Sequence, residues 1–466
     1  MVTVLTDRLQ SAKAHAIQVI DNAAGPFADA NRTIWHFAEP SLLEFKSAEH
    51  LAGLLEENGF TVTRGVADMP TAFIAEWGGD GPIVGILAEY DALPSLSQKV
   101  QTAHDPLNPG AHGHGCGHSV FGTACTYAGI AVRQAMIDAG IPGRVRVYGC
   151  PAEELLVGKV FMARDGLFND LDAALTWHPS DKTQASLGSG KAMVSIHYTF
   201  KGIAAHASSS PHRGRSALDA VELMNVGVNF MREHIKEDAR IHYVITDGGI
   251  QPNVVPPTAS VWYYIRADEH ADVEEYLAWV DKIAEGAATM TQTTLSDRQM
   301  DTDCHELVPN RPLAEALDRN LRLVGPRIFD EKEKAFATEI RSTIADIKEG
   351  PVLNEEVLPL RLEPRRGGGS TDVGDVSWMV PTEQFVAATQ ANGCPGHSWQ
   401  ITACTGMSIG EKGGIVAAKA LACTTLELMA DPELREKAKA DFVQRRGDVP
   451  YKLLIPADQK PRIPAH

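Results

Sequence analysis

The sequence predicts an α/β protein in which a smaller domain, of the ferredoxin-like α+β type, interrupts the main domain. In the first part of the chain short apolar runs alternate with helical patterns, and the run at residues 83–88 is nearly all apolar, as in a strand buried on both faces. From residue 191 the predicted order becomes strand, helix, strand, strand, helix, and a last strand is expected near Thr293. We therefore assign residues 1–190 and 304–466 to the main domain and residues 191–303 to the insert.

The individual elements follow from the hydrophobic period and from the residues that begin and end helices. Ser47 is a candidate N-cap, and Gly59 follows the helix that Ser47 would begin. Near the end of the chain, Asp431 is a candidate N-cap with Pro432 at the first helical position, and Gly447 ends that helix. Helices are predicted at residues 6–22, 47–58, 118–139, 216–232, 273–287 and 431–447, and strands at residues 60–66, 71–77, 83–88, 145–148, 173–177, 193–200, 241–246 and 259–266.

The composition excludes several classes of function. The chain of 466 residues carries 43 Lys and Arg against 60 Asp and Glu, a net charge of −17, whereas binding to phosphate backbones depends on clustered Lys and Arg. No apolar run approaches the roughly 20 residues that cross a bilayer, and the first residues lack the apolar segment of a signal peptide. The seven cysteines contain no CxxC pair, which favours reduced thiols. We expect a cytoplasmic protein that binds neither nucleic acid nor membrane.

The densest chemical signal is the segment His-Gly-His-Gly-Cys-Gly-His at residues 112–118. Thiolate and imidazole are good ligands for a borderline-soft divalent metal, and glycines let the backbone fold closely around an ion. One cysteine and one or two histidines do not complete a metal site, so the alternative for this segment alone is a glycine-rich loop with solvated histidines.

Further candidate ligands follow predicted strands or lie in tight loops. Glu153 and Glu154 come directly after the strand at residues 145–148, His178 follows the strand at 173–177, and His397 lies in a Gly- and Pro-rich loop. Adjacent carboxylates are usually a solvated turn, and any one of these histidines is more often structural. At the carboxyl ends of parallel strands, however, one carboxylate can bind a metal while the other acts as a general base. The constellation therefore predicts a metal site.

The same motifs, read in order, resemble those of the M20 metallopeptidase family. The pattern is H-x-C-G-H, then P-A-E-E, a strand-end histidine, G-x-x-A-H-A and a late P-G-H. The match is to the amidohydrolase branch that hydrolyses N-acyl amino acids, in which a cysteine joins the metal ligands. Stretches at residues 88–94, 210–220 and 369–378 are also similar, and the resemblance covers residues 10–430. It implies a mixed-sheet catalytic domain, with the insert as a lid and dimerisation domain.

The resemblance also implies roles for particular residues. Glu153 would be the general base toward a water that two divalent ions, zinc or manganese, activate. His206, on the insert, would reach across a homodimer to polarise the scissile carbonyl, and Asn253 and Arg266 would hold the substrate's α-carboxylate. The implied metal ligands are Cys116, His118, Glu154, His178 and His397.

The implied activity is cleavage of the amide bond of N-acyl or N-aryl amino acids, with p-aminobenzoyl-glutamate expected first. A dipeptidase, an aliphatic deacylase of the same family, and a subunit that needs an unlike partner remain alternatives. Purely structural roles remain alternatives for two of these residues: His206 could cap a strand, and Arg266 could pair with Asp268. Glu89 stands where many relatives have a histidine, and it is left open as a spare ligand or as a neighbour of the ligands.

Overall fold

A computed structural model describes residues 2–347, 349–366 and 368–464 of the protein. The helices of the described part are α1 (Val2–Asn22), α2 (Ala24–Phe37), α3 (Phe45–Glu57), α4 (His118–Ala139), α5 (Gly158–Arg164), α6 (Ala217–Met231), α7 (His270–Thr291), α8 (Arg311–Val324), α9 (Glu331–Ser342), α10 (Val373–Met379), α11 (Trp399–Thr405), α12 (Ser408–Ala430) and α13 (Pro432–Arg446). The strands of the described part are β1 (Thr61–Arg64), β2 (Phe73–Gly78), β3 (Ile83–Ala88), β4 (Arg144–Gly149), β5 (Ala173–Ser180), β6 (Gln184–Ser189), β7 (Ala192–Lys201), β8 (Arg240–Asp247), β9 (Thr258–Ala267), β10 (Thr294–Cys304), β11 (Arg361–Arg366) and β12 (Thr382–Ala388).

The main domain is built on a mixed sheet of eight strands in the order β1-β2-β4-β3-β5-β12-β6-β11. The central strands β4, β3, β5 and β12 are parallel, so their carboxyl ends meet at one edge of the sheet. Alternate residues of β3 enter two cores, as expected of a strand that is buried on both faces. Val84 and Ile86 pack with residues of α4 and α12, whereas Leu87 packs in a cluster that includes Phe161 and continues into the insert. The α/β fold with a mixed sheet is confirmed.

Helix α12 is the one helix in the described part of the chain that is long and apolar enough to cross a membrane. Its apolar window is 94% buried inside the molecule, against α1, α4 and α8. Apolar residues all round a helix are what a helix at the centre of a core requires. The composition of α12 is therefore explained by packing.

The insert has the order β7-α6-β8-β9-α7-β10, with an antiparallel sheet in the order β10-β7-β9-β8. This is the ferredoxin-like arrangement that the sequence predicts, and the last strand, expected near Thr293, runs from Thr294 to Cys304. Ser216 caps α6 by accepting a hydrogen bond from the N–H of Asp219. The limits of the insert at residues 191 and 303 stay a prediction about folding units.

Two local predictions differ from the structure. Helix α3 begins at Phe45, so Ser47 is not its N-cap. The carboxylate of Glu39 accepts hydrogen bonds from the N–H groups of Lys46 and Ser47, so a residue of the preceding loop supplies the capping. Strand β5 continues to Ser180, which places His178 within the strand rather than after it.

Candidate metal centre

The loop before α4 places Cys116 and His118 beside β5. Gly117, between them, has a left-handed backbone (φ +84°), and a Cβ there would lie 2.9 Å from the side chain of Pro179. Glycine is therefore required both by the turn and by the close approach to β5. His118 is the first residue of α4 and is fully buried. The turn brings Cys116 Sγ to 3.3 Å from Nε2 of His178.

Glu153 and Glu154 lie in a single 3₁₀ turn after β4. The residues on either side, Ala152 and Leu156, both have left-handed backbones with φ of 56°, a conformation that costs non-glycine residues free energy. The buried carboxylate of Glu44 accepts a hydrogen bond from the N–H of Ala152 at 2.8 Å and so holds the turn. Sequence reasoning missed Glu44, whose only signal was a carboxylate within an apolar segment. The strained turn fixes both glutamates at the carboxyl end of β4.

The two remaining histidines each present Nε2 to a candidate ligand. His178 Nδ1 lies 2.7 Å from the carbonyl oxygen of Pro179, which can only accept, so Nδ1 carries the proton and Nε2 keeps its lone pair. His397 lies in the loop between β12 and α11 with φ of 53°, and its Nε2 is 3.3 Å from Glu154 Oε2. Its side chain is 57% exposed, so this ligand lies at the open side of the site.

Asp91 orients His118. Its Oδ1 lies 2.8 Å from His118 Nδ1, while Oδ2 accepts hydrogen bonds from Ser41 Oγ and from the N–H of Glu154. Burial raises the pKa of Asp91, but the hydrogen bonds and the charge of His118 outweigh burial and lower that pKa to about 2. The ionised carboxylate therefore fixes the proton on Nδ1 and leaves Nε2 directed at the site, the arrangement found behind metal-binding histidines.

The donor atoms form two groups that share one thiol. The first contains Cys116, His118 and His178, the second contains Cys116, Glu154 and His397, and within each group the donor atoms lie within 4.8 Å of one another. Three buried atoms in this region have no hydrogen-bond partner among the described residues: His118 Nε2, Glu154 Oε1 and Glu89 Oε2. Because unpartnered buried polar atoms are costly, this convergence fits a pair of divalent cations, with Cys116 available to both.

The pKa values of the donor groups in the metal-free protein also favour a site for cations. Burial, together with the charge of Glu154, raises the pKa of the Cys116 thiol to about 12. Burial likewise raises the pKa of Glu154 to about 7. The surroundings thus disfavour negative charge on these donors, and bound cations would compensate that charge and displace the protons.

A cavity of about 600 Å³ connects this cluster with the insert. Its wall includes Arg266 and Tyr264 from β9 and four of the five candidate ligands, Cys116, Glu154, His178 and His397. Arg266 Nη1 donates to Ser370 Oγ at 3.0 Å, its guanidinium lies 5.4 Å from the centre of the Tyr264 ring, and its Nε has no partner. Asp268, the alternative partner considered for Arg266, accepts a hydrogen bond from Lys191. The guanidinium group of Arg266 therefore contributes a positive charge to the wall of the cavity.

The structure brings together seven of the predicted site residues and leaves two elsewhere. His206 and Asn253 are exposed on the insert, outside the wall of this cavity. They lie beside each other, since His206 pairs with Val254 and the N–H of Ala207 donates to the carbonyl of Asn253 at 3.0 Å. The roles of all nine residues stay predictions. Those that the cavity or the ligand cluster unites are Cys116, His118, Glu153, Glu154, His178, Arg266 and His397.

Comparison with known proteins identifies the family. A profile of the M20 peptidase dimerisation domain matches residues 189–289, which cover most of the insert. The chain is 43% identical over 462 residues to a subunit of the p-aminobenzoyl-glutamate hydrolase of Escherichia coli, covering 93% of this chain and 95% of that protein. The chain belongs to the M20 family. It is also 29% identical to a mouse Xaa-Arg dipeptidase, with 93% of each chain covered.

Solved structures show the same fold. An aminobenzoyl-glutamate utilization protein from Klebsiella pneumoniae superposes with a TM-score of 0.61 at 17% identity, covering 88% of this chain and 97% of that one. A dinuclear metal-binding M20 peptidase from Bacillus subtilis superposes with a TM-score of 0.56 at 16% identity, covering 88% and 99%. As a member of this family, the chain is a metal-dependent hydrolase of amide bonds, and its insert is a dimerisation domain.

Proposed function

We propose that this M20 enzyme cleaves the amide bond between an acyl or aryl group and an amino acid, with p-aminobenzoyl-glutamate as the substrate to test first. The observation that carries the proposal is one cavity whose wall includes both Arg266 and most of the donor cluster. A planar guanidinium pairs with both oxygens of a carboxylate, so Arg266 suits the amino-acid end of the substrate. The relative with 43% identity is named for p-aminobenzoyl-glutamate hydrolysis, which supports this choice.

Glu153 is the residue that would move protons. It is buried, and its Oε2 lies 3.9 Å from His118 Nε2. Burial, followed by the charges of Glu89 and Glu154, raises the pKa of Glu153 well above its usual value. A carboxylate of raised basicity can take a proton from the attacking water and return it to the leaving nitrogen. Two divalent cations, when bound, would activate that water and polarise the scissile carbonyl.

We also propose a homodimer in which His206 and Asn253 of one protomer complete the cavity of the other. Both residues are exposed on the domain that the dimerisation profile matches. Edge strand β8 beside them carries three exposed apolar residues, Tyr243, Val244 and Ile245. A partner of unlike sequence is the alternative, because the relative with 43% identity is named as a subunit.

We place the enzyme in the cytoplasm. All seven cysteines are free thiols. Cys116 belongs to both donor groups, so its oxidation would remove a ligand from each. A reducing compartment keeps that thiol available.

The test is release of p-aminobenzoate from p-aminobenzoyl-glutamate by the purified chain alone, before and after chelation, with Zn²⁺ or Mn²⁺ added back. We expect turnover that chelation abolishes, a metal content of two ions per subunit, and recovery with one of these metals. Turnover only with an added second protein would support the unlike partner. Turnover of dipeptides ending in arginine, but not of p-aminobenzoyl-glutamate, would contradict the proposed substrate while keeping the chemistry.

A further inference from the structure

A buried group of three charged residues adjoins the donor cluster and is not used by the mechanism above. Lys159 of α5 is fully buried, and its Nζ lies 2.7 Å from Glu89 Oε1 and 2.6 Å from Asp372 Oδ1. The other oxygen of Asp372 accepts a hydrogen bond from the N–H of Lys159 at 2.8 Å. Both carboxylates are also buried. Because Lys159 is enclosed in this way, its ammonium group has essentially one position. In that position the ammonium group binds Oε1 of Glu89.

The second oxygen of Glu89 points into the metal cavity without a partner. Glu89 is 1% exposed, and its Oε2 lies 3.5 Å from His118 Nε2, which is also unpartnered. When a cation is bound the His118 ring is neutral, and because Nδ1 donates to Asp91, Nε2 and Glu89 Oε2 then both direct lone pairs toward the space between them. In that state neither atom can donate a hydrogen bond to the other. A cation that both contact would remove the cost of leaving them unpaired.

The distance between Glu89 Oε2 and His118 Nε2 also matches the distance between two of the predicted ligand atoms. With bonds of about 2.1 Å in a tetrahedral site, two ligand atoms on one ion lie about 3.4 Å apart. The separation of Glu89 Oε2 from His118 Nε2 is 3.5 Å, beside 3.3 Å for Cys116 Sγ and His178 Nε2. Donor atoms of Glu89, His118 and Glu153 lie within 4.8 Å of one another. Glu89 Oε2 therefore lies at the spacing of two ligands of one ion from His118 Nε2.

We propose that Glu89 is a sixth protein ligand, which binds through Oε2 the cation held by His118. Lys159, fixed by Asp372, is its positioning residue: it occupies Oε1 and leaves only Oε2 for the metal. The inference rests on the proposed metal dependence and extends the five-residue ligand set. It also explains why a fully buried lysine stands next to a site for cations, since its charge is taken up by Asp372 and by the far oxygen of Glu89.

Metal affinity, measured without reference to turnover, tests the proposal. The protein is stripped with chelator and titrated with Zn²⁺ against a competing indicator, and Co²⁺ is then bound so that its visible bands report coordination. In Glu89→Gln we expect one of the two ions to bind ten- to a hundred-fold more weakly, with altered Co²⁺ bands. The matched control is Glu427→Gln, which also removes a buried carboxylate paired with a lysine, Lys13 at 2.6 Å, but lies outside the cavity.

The outcomes separate the two proposals. If the wild-type chain binds no metal, the proposed function fails. If the wild-type chain binds two ions and Glu89→Gln binds both with unchanged affinity, only the assignment of Glu89 is overturned. Lys159→Gln serves as a second variant, because it keeps hydrogen-bonding groups while releasing Oε1: we expect weaker binding of the same ion, and no additional effect when Glu89→Gln is already present. Unchanged affinity in every folded variant contradicts the assignment equally.

Discussion

At the scale of single residues, the centre depends on hydrogen bonds that leave the reacting atoms free. The carbonyl oxygen of Pro179 accepts a hydrogen bond from Nδ1 of His178, and Asp91 accepts one from Nδ1 of His118, so both rings direct Nε2 to the donor cluster. Glu153 is different, because its position is fixed by the strained turn between Ala152 and Leu156. The ligands and the proton-transfer group are therefore separable by mutation.

Removing the proton-transfer group tests that separation. In Glu153→Gln we expect kcat to fall by about 10²–10⁴-fold, because a general base contributes on that order, while the metal content stays at the wild-type level. The measurements are steady-state kinetics and elemental analysis of the same sample. Wild-type turnover by a Glu153→Gln protein of full metal content would rule out the assigned role.

The proposed binding of the substrate's α-carboxylate by Arg266 predicts a change in KM when this residue is substituted. In Arg266→Met we expect KM for p-aminobenzoyl-glutamate to rise by about 10–100-fold with kcat less affected, since hydrogen bonds to charged groups contribute about 1.5–3 kcal/mol. A control substrate in which the α-carboxylate is an amide should show no such rise. Equal losses on both substrates would mean that Arg266 shapes the cavity without binding the carboxylate.

At the scale of elements, the local sequence predicts the caps of α13, Asp431 and Gly447, correctly but not the cap of α3. The sequence predicts α4 at residues 118–139, and the helix runs over that same span, whereas α3 begins two residues before its predicted cap. Sequence periodicity does not predict strand β12, although it lies between β5 and β6 in the sheet. Its first three residues, Thr382, Glu383 and Gln384, have polar side chains, which leaves an apolar run of only four residues at its end. The backbone pairing with β5 makes it a strand.

A buried ion pair joins three helices and predicts a pH effect on stability. Glu427 of α12 contacts Lys13 of α1 at 2.6 Å, and Arg319 of α8 at 2.7 Å. Burial raises the pKa of Glu427, but Lys13, Arg319 and Asn320 lower it more, so that the folded-state pKa lies below the ordinary value of 4.5. Stability from this group is therefore present above the unfolded pKa and is lost as the pH falls through the folded pKa.

Glu427→Gln tests that effect. We expect a loss of about 3 kcal/mol in the free energy of unfolding at pH 7, because Lys13 is left buried without its counter-charge. The difference from wild type should shrink as the pH falls below about 4, where the wild-type carboxylate is also being protonated. Urea unfolding at pH 7, 5 and 3.5 measures it, and a difference that grows on acidification would contradict the sign.

At the scale of the whole molecule, the cavity exists only because the insert folds over the main domain. The candidate metal ligands come from the main domain, whereas Arg266 comes from β9 of the insert. Both sheets share the second hydrophobic core, in which Leu87 and Phe161 belong to the main domain and Val261 to the insert. The net charge of −17 repels anionic substrates, so the local positive charge of Arg266 and of bound cations has to outweigh it.

The proposed homodimer predicts that activity depends on assembly. In Val244→Lys we expect monomers, because a charge on the exposed edge strand β8 opposes its pairing with a second copy. Loss of the other protomer's His206 should lower kcat by about 10²–10³-fold with metal content unchanged. Light scattering and kinetics measure both effects. Val443→Lys, at a similarly exposed valine of α13, is the control, and a fully active monomer would contradict the proposal.

The sequence by itself determined the chemical nature of the site and the class of fold. Donor types such as Cys116 and His118 can be read from a local motif, and the order of strands and helices can be read from local period. The motif and the hydrophobic period are both set by residues that are close together in the sequence. Glu153 and Glu154 could be singled out for the same reason, since a buried strand directly precedes them.

Only the tertiary structure decided which distant side chains meet. Asp372 lies 213 positions from Lys159, and nothing in either local segment indicates that they enclose Glu89 together. It also decided that His206 and Asn253 lie apart from the cavity of their own chain, although His206 belongs to the same motif series as the ligands. The physical reason is that such contacts depend on β3, α5 and α10 entering the same hydrophobic core, with α5 packed on α10, which local periodicity does not encode.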